Sequence, residues 1–264
     1  MLTYEQQLTN DGEWAVSEGS RHFEGRSAIA QALKRIAQRL DELEIPYAVA
    51  GGMALFHHGF RRFTEDVDIL INPDDLRTVH DQLVGRGYVP PFRGSKNLRD
   101  AELGVRIEFL VAGQFPGDGK PKEISFPDPA TIAPAEGDVK YVDLPTLVEL
   151  KLASGISGAD RLKDLADVQE LIKVLDLPTK FSESLHPSVQ AEFGRIWSLA
   201  QSPGRRYLRR WPKASEDHDE LDSMLNAGVV REPGEDDADF DYLVTTDEEL
   251  ARRVGMHPED EFLE

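Results

Sequence analysis

Ala48-Val-Ala-Gly-Gly-Met-Ala-Leu-Phe-His-His-Gly-Phe-Arg-Arg-Phe-Thr-Glu-Asp-Val-Asp-Ile-Leu-Ile71 is the stretch on which the reading of the whole chain turns. An apolar run ends in Gly51-Gly52, a short amphipathic segment follows, and a second apolar run carries Asp66 and Asp68. Side chains alternate faces along a strand, so residues two apart point the same way. The pattern therefore sets Asp66 and Asp68 side by side, with Val67 and Ile69 turned to the opposite face and Glu65 turned away from the pair. Two adjacent carboxylates repel each other, and burial raises the cost of ionising both unless a cation holds them. Hard cations with oxygen ligands, Mg²⁺ above all, suit such a pair and keep positions open for phosphate oxygens. Gly51-Gly52 falls where a strand gives way to a helix. Glycine lets the backbone approach a ligand closely, and a helix N-terminus offers free N–H groups to an anion. The stretch reads as a phosphate cradle facing a metal clamp.

On both sides of it the pattern is that of alternating strands and helices. Ile29, Leu33, Ile36, Leu40 and Leu43 recur at helical spacing behind Ser27, a residue suited to an N-cap. Ile45–Ala50 follows as a strand, with Pro46 confined to its beginning. After Ile71, Asn72 and Pro73 open a helix that runs to Val84 and stops at Gly85 and Gly87. Gly87–Phe92 is a short extended piece, and Arg93–Asp100 reads as a polar loop whose Arg93, Lys96 and Arg99 form a basic cluster. Val105–Val111 is the next strand, with Arg106, Glu108 and Leu110 on one face. Residues 113–137, rich in Gly and Pro, read as a long loop, and Asp138–Asp143 as a last short strand. Helices follow over Leu144–Ser154, Arg161–Ile172 and Pro187–Ala200. Residues 1–23 have little periodicity and read as an arm.

Gly51-Gly52 followed by Thr64-Glu-Asp-Val-Asp68 resembles the signature of the polymerase-β-like nucleotidyltransferase superfamily, a glycine pair followed by Asp-x-Asp. With His58-Gly59, Arg62 and Thr64 in order between the two, it is similar to the small prokaryotic branch that contains the abortive-infection and toxin–antitoxin nucleotidyltransferases. The resemblance spans residues 45–175. It implies an α/β (α+β) fold, a small mixed β-sheet core with flanking helices, followed by a helical lobe; beyond its reach, the charge of the last residues reads as an acidic tail. The expected divisions are an arm at 1–25, the core at 26–143, the lobe at 144–211 and the extension at 212–264. It also implies a metal site of Asp66, Asp68 and a third carboxylate on a neighbouring strand. Glu108, the one acid in the apolar run 105–111, stands where that residue belongs, although many members carry Asp there. Two Mg²⁺ ions, or Mn²⁺ in their place, would be held by the three. Arg62 matches the Arg that precedes the family's Thr64, and would brace the carboxylates, touch a triphosphate or form a surface salt bridge. Lys151 and the string Arg161-Leu-Lys-Asp164-Leu-Ala-Asp167 match the helix pair of this branch. Lys151 is expected to contact the triphosphate, and Asp164 to hold Lys151 or orient a base, against the plainer reading of an inter-helix salt-bridge set. With Gly51 and Gly52 these make the nucleotide site.

Composition narrows the setting. There is no cysteine, which excludes disulfides, thiolate metal sites and cysteine nucleophiles. No apolar run reaches the length of a membrane span, and the first residues lack the basic start and apolar core of a signal peptide, so a cytoplasmic location is expected. The net charge of −19 is uneven. Residues 213–264 hold 18 acidic and 4 basic residues, against 31 and 26 in the rest. Such acidity argues against generic nucleic-acid binding, since phosphate contacts dominate that affinity. Arg205, Arg206, Arg209 and Arg210, interleaved with Tyr207 and Trp211, form the densest basic stretch; they would close the helical lobe, pair with the tail or stack on single-stranded RNA.

The expected reaction moves an NMP from a nucleoside triphosphate to an acceptor hydroxyl, on an RNA end, a protein or a small molecule, and releases pyrophosphate. Through the resemblance, a toxin role with a cognate antitoxin is part of the expectation. The alternative is a chain of the same fold without catalysis, acting as a binding or regulatory partner through its acidic tail.

Overall fold

The computed structural model describes residues 2–132 and 137–201. The basic stretch from Gly204 and the acidic extension lie outside the described residues, as does the part of the 113–137 loop at 133–136. Residues Met1–Gln201 form one compact unit, described here by itself. Its helices are α1 (Tyr4–Asn10), α2 (Gly12–Phe23), α3 (Ala28–Glu42), α4 (Gly51–His57), α5 (Pro73–Leu83), α6 (Pro129–Ile132), α7 (Leu144–Ser157), α8 (Leu162–Leu175) and α9 (Pro187–Gln201). Its strands are β1 (Tyr47–Val49), β2 (Asp66–Ile71), β3 (Tyr88–Val89), β4 (Leu98–Asp100) and β5 (Arg106–Val111). None of the described helices is long and apolar enough to cross a membrane.

The five strands form one mixed sheet in the order β1-β2-β5-β4-β3. β2 and β5 run parallel at its centre, and every other pairing is antiparallel. Strand alternation sorts the side chains into two cores. Tyr47, Val49, Val67, Ile69, Ile71, Ile107 and Phe109 pack on one face with Ile29, Leu33, Ile36 and Leu40 of α3. Ala48, Leu70 and Leu110 lie on the other, against Leu147 and Val148 of α7, Val168 and Leu171 of α8, and Phe193 of α9. The sheet is thus α/β in class and covered on both sides. By the same parity, Asp66, Asp68 and Glu108 belong to the face that α7 and α8 cover.

The helices start where their sequences provide caps. The Ser27 hydroxyl accepts from the Ala30 N–H at 3.1 Å, and the Asp143 carboxylate accepts from the Thr146 N–H at 2.8 Å. Pro73 and Pro145 occupy first-turn positions, where no N–H is needed.

Four local expectations are corrected. The N-terminal arm is two helices, α1 with a Thr3–Gln6 capping box and α2 capped by Asp11. Its fully buried residues are few, Tyr4, Glu18 and His22, with Leu8 and Trp14 half-buried against the core, so the apolar stripe is too sparse to read. Leu98–Asp100, expected in a loop, is β4, and Arg99 of the basic cluster pairs with Glu5 instead of standing free. Asp138–Asp143 supplies only a single bridge, Tyr141 to Val49, and the expected loop contains the short helix α6.

Candidate active site

The strand register assembles the acidic centre. Asp68 lies directly beside Glu108, and Asp66 beside Arg106, across the parallel β2–β5 pair. The structure brings a carboxylate oxygen from each of Asp66, Asp68 and Glu108 within 4.8 Å of one another. Asp66 is held at both oxygens, accepting from the Thr64 hydroxyl and from Arg106 Nη2, each at 3.0 Å. Arg106 Nη2 is also 3.0 Å from Glu108 Oε1. Burial, and then the like charges of Asp66 and Glu108, push the Asp68 carboxyl up to about 7. A divalent ion beside Asp68 would offset the like charges that hold it protonated and let it ionise. The donors are all carboxylate oxygens with no nitrogen or sulfur among them, which fits Mg²⁺ or Mn²⁺. Among the described residues this is the one such grouping of three or more ligand side chains.

The two glycines are required by this packing. Gly51 has φ +55°, and a Cβ there would stand 1.7 Å from Asp68 Oδ2. A Cβ on Gly52 would stand 2.5 Å from the Thr64 hydroxyl. The glycine pair therefore lets α4 start against the carboxylate strand, with Ala50 N–H donating to the Asp68 carbonyl at 2.9 Å. His58, next along, bonds the Val142 carbonyl at 2.8 Å and His57 stacks on Tyr141, so neither histidine joins the centre.

Facing the acids is a lattice of opposite charges from three elements. Lys151 on α7 donates to Asp164 at 2.6 Å and to Asp167 at 2.8 Å, both on α8. Arg62, in the segment before β2, makes a two-pronged contact with Asp167 at 2.8 and 3.0 Å. Ser154 donates to the other oxygen of Asp164 at 2.6 Å. Burial by itself would lower the Lys151 ammonium, but Asp167 and Asp164 outweigh it and hold the group above its usual range. Asp164 is half-buried, which alone would raise its carboxyl, yet Lys151 and Ser154 keep it below the usual range. The inter-helix salt-bridge set is the arrangement observed. It is buried: Asp167 is only 3% exposed, and Arg62 forms an interior pair, not a surface one.

A cleft of about 560 Å³ lies between the acids and this lattice. Gly51, Gly52, Arg62, Thr64, Asp66, Asp68, Glu108, Lys151 and Asp164 all line it. Lys96, Arg161 and Lys163, all exposed, also line it. Three participants escape sequence reasoning as site residues: Arg106, Glu5 and Ser154. Asp167 was visible in the helix string, but its double contact to Arg62 and Lys151 was not.

No protein-family model matches the chain, and no curated protein matches it. Among solved structures it is similar to an antigenic nucleotidyltransferase-like protein from Paracoccidioides brasiliensis, at 16% identity over 64% of this chain and 91% of that one, with a TM-score of 0.39. It is also similar to ANT(2″)-Ia, solved in complex with adenylyl-2″-tobramycin, at 14% identity over 66% of this chain and 97% of that one, with a TM-score of 0.36.

Proposed function

We propose that the chain is a metal-dependent nucleotidyltransferase that moves an NMP from a nucleoside triphosphate to an acceptor hydroxyl and releases pyrophosphate. The observation that carries this reading is the trio Asp66, Asp68 and Glu108, packed against Gly51 and opening into a cleft large enough for a nucleotide. Asp66, Asp68 and Glu108 would hold Mg²⁺ or Mn²⁺. Bound there, a divalent ion supplies charge neutralisation for the phosphates and activation of the attacking oxygen. Thr64 fixes the Asp66 carboxylate through its hydroxyl. Gly51 and Gly52 leave room for phosphates beside the carboxylate strand. Lys151 and Arg62 would present cationic donors on the opposite wall, where Asp164 and Asp167 balance their charge and keep them at fixed positions before substrate arrives, which removes a reorganisation cost from the transfer step. The core 26–143 would supply the acids and Arg62, and the lobe 144–211 the remaining residues of the opposing wall.

The acceptor is an RNA end, a protein hydroxyl or a small hydroxylated molecule, in a cytoplasmic setting, and a toxin held by a cognate antitoxin is the physiological form in which we place it. A second reading, a fold without catalysis serving as a binding partner, is favoured by one observation: Arg106 already bridges Asp66 and Glu108 with a cation of the chain's own. Transfer of label from each nucleoside triphosphate to RNA, to protein and to aminoglycoside-like polyols separates the two. Label that requires a divalent ion and disappears in Asp66→Ala/Asp68→Ala supports the transferase. Absence of transfer together with absence of metal-dependent nucleotide binding leaves the binding-partner reading.

A further inference from the structure

The Arg106 guanidinium occupies ground that a metal ion at the same carboxylates would need. Its Nη2 stands 3.0 Å from Asp66 Oδ2 and 3.0 Å from Glu108 Oε1. An Mg²⁺ ligated by those two oxygens would sit about 2 Å from each. Two cations cannot share so small a space, by volume or by charge. Asp68 is different, because Arg106 makes no hydrogen bond to it among the described contacts, so an ion ligated through Asp66 Oδ1 and Asp68 meets less competition.

Arg106 also has somewhere to go. Its Nε is buried without a hydrogen-bond partner, a cost that the present arrangement leaves unrelieved. Besides the two acids it bridges, Arg106 has Glu5 of α1 within reach, whose Oε1 lies 4.0 Å from that Nε. Glu5 is itself fixed, accepting from Arg99 Nη1 at 2.8 Å and Nη2 at 3.2 Å. The Arg106 side chain is 39% exposed, so its head is free to turn away from the acids.

We propose that Arg106 is an internal competitor for the metal site, bridging Asp66 and Glu108 when no ion is ligated there and moving to Glu5 when one is. Arg106 and Glu5 are then positioning residues: the guanidinium keeps the acidic centre folded without metal, and the N-terminal helix receives it. This rests on the assignment of Asp66, Asp68 and Glu108 as metal ligands. It predicts that α1, remote in sequence from every ligand, sets how tightly Glu108 takes part in binding.

The test is Mn²⁺ binding to the full chain, followed by the loss of the free-ion electron paramagnetic resonance signal. Wild type is compared with Arg106→Gln, Arg106→Lys, Glu5→Gln and Asp66→Asn, and thermal melts check that each variant is folded. Removing a cation in direct contact with two ligand carboxylates should tighten Mn²⁺ binding by about tenfold or more in Arg106→Gln. Arg106→Lys, which keeps the charge but lacks the two-sided fork, should fall between wild type and Arg106→Gln. Glu5→Gln should bind more weakly than wild type, because the displaced guanidinium loses its receiver. Unchanged or weaker binding in both Arg106 variants overturns the competitor role, and binding in Glu5→Gln at wild-type strength overturns the role of α1. If Asp66→Asn binds Mn²⁺ as wild type does, the metal-site assignment itself fails. Loss in Asp66→Asn with no change in the Arg106 variants removes only the present inference.

Discussion

Asp68 is the residue whose charge the fold supports least. Its carboxyl, pushed up to about 7 by burial and by Asp66 and Glu108, takes a proton in the folded chain at a pH where the unfolded chain has already lost it. Asp68 by itself therefore costs the metal-free protein stability as pH rises from about 4, the ordinary Asp range, through 7, and this contribution levels off above that. A metal ion needs the deprotonated form, so it competes with this proton. Apparent Mn²⁺ affinity should rise by about tenfold per pH unit up to 7 and flatten above it. A series of Mn²⁺ titrations from pH 5.5 to 8.5 checks this, and a flat profile would show that Asp68 is ionised without the metal. The pairing of Asp66 with Asp68 was legible because it needs only strand alternation. The place of Glu108 was legible as the one acid in an apolar strand. Arg106 was read only as a neighbour for Glu108. Its contact with Asp66 depends on the register of two strands separated by α5, β3 and β4, and no local pattern encodes register between distant strands.

Between elements, the strongest coupling runs from α7 to α8 through Lys151. Its Nζ is shared by Asp164 and Asp167, with side-chain exposures of 11%, 16% and 4%. Lys151→Met keeps most of the length of the side chain and leaves Asp164 without its cation, while Asp167 keeps Arg62, a change that costs about 3 kcal/mol, the low end for pairs of this kind. Urea unfolding should show a lower midpoint with an unchanged slope. Adding Asp164→Asn to Lys151→Met should cost less than the sum of the two single changes, because the carboxylate that Lys151→Met strands is then neutral. Additive losses would mean that the helices are held by their apolar contacts alone. Helices α3, α5, α7, α8 and α9 were legible from apolar period, cap-type residues and first-turn prolines, since each buries apolar residues in one of the two cores. α1 and α2 were not, because few of their residues are fully buried, and two of these, Glu18 and His22, are polar. Glu18 accepts from the Ala28 N–H at the start of α3, and His22 bonds the Arg62 carbonyl at 3.0 Å. Such bonds satisfy buried groups that a hydropathy pattern counts as surface.

At the scale of the molecule, the sheet carries an apolar core on each face, and the candidate site opens on the face toward α7 and α8. A nucleotide in the cleft would touch β2, β5, α4, α7 and α8 together, so its binding free energy would add to the folding of the whole unit. The three carboxylates oppose the approach of a bare triphosphate at short range, on a body whose 31 acidic residues already outnumber its 26 basic ones. A divalent ion reverses the sign of that local field. Nucleotide binding should accordingly be metal-dependent, beyond any help that the ion gives to catalysis. With Mn²⁺ and a non-hydrolysable triphosphate at 100 times its dissociation constant, the native state gains about 2.7 kcal/mol. For a folded unit of this size that corresponds to a rise in melting temperature of roughly 5–10 °C. The analogue without metal should give almost none of this shift, and Mn²⁺ alone only part of it. Asp66→Asn/Asp68→Asn should abolish the joint effect while melting at or above the metal-free wild-type temperature, because it removes the repulsion that Asp68 suffers. Stabilisation by the analogue that is equal with and without metal, or that survives in the double variant, would place nucleotide binding away from the carboxylate centre.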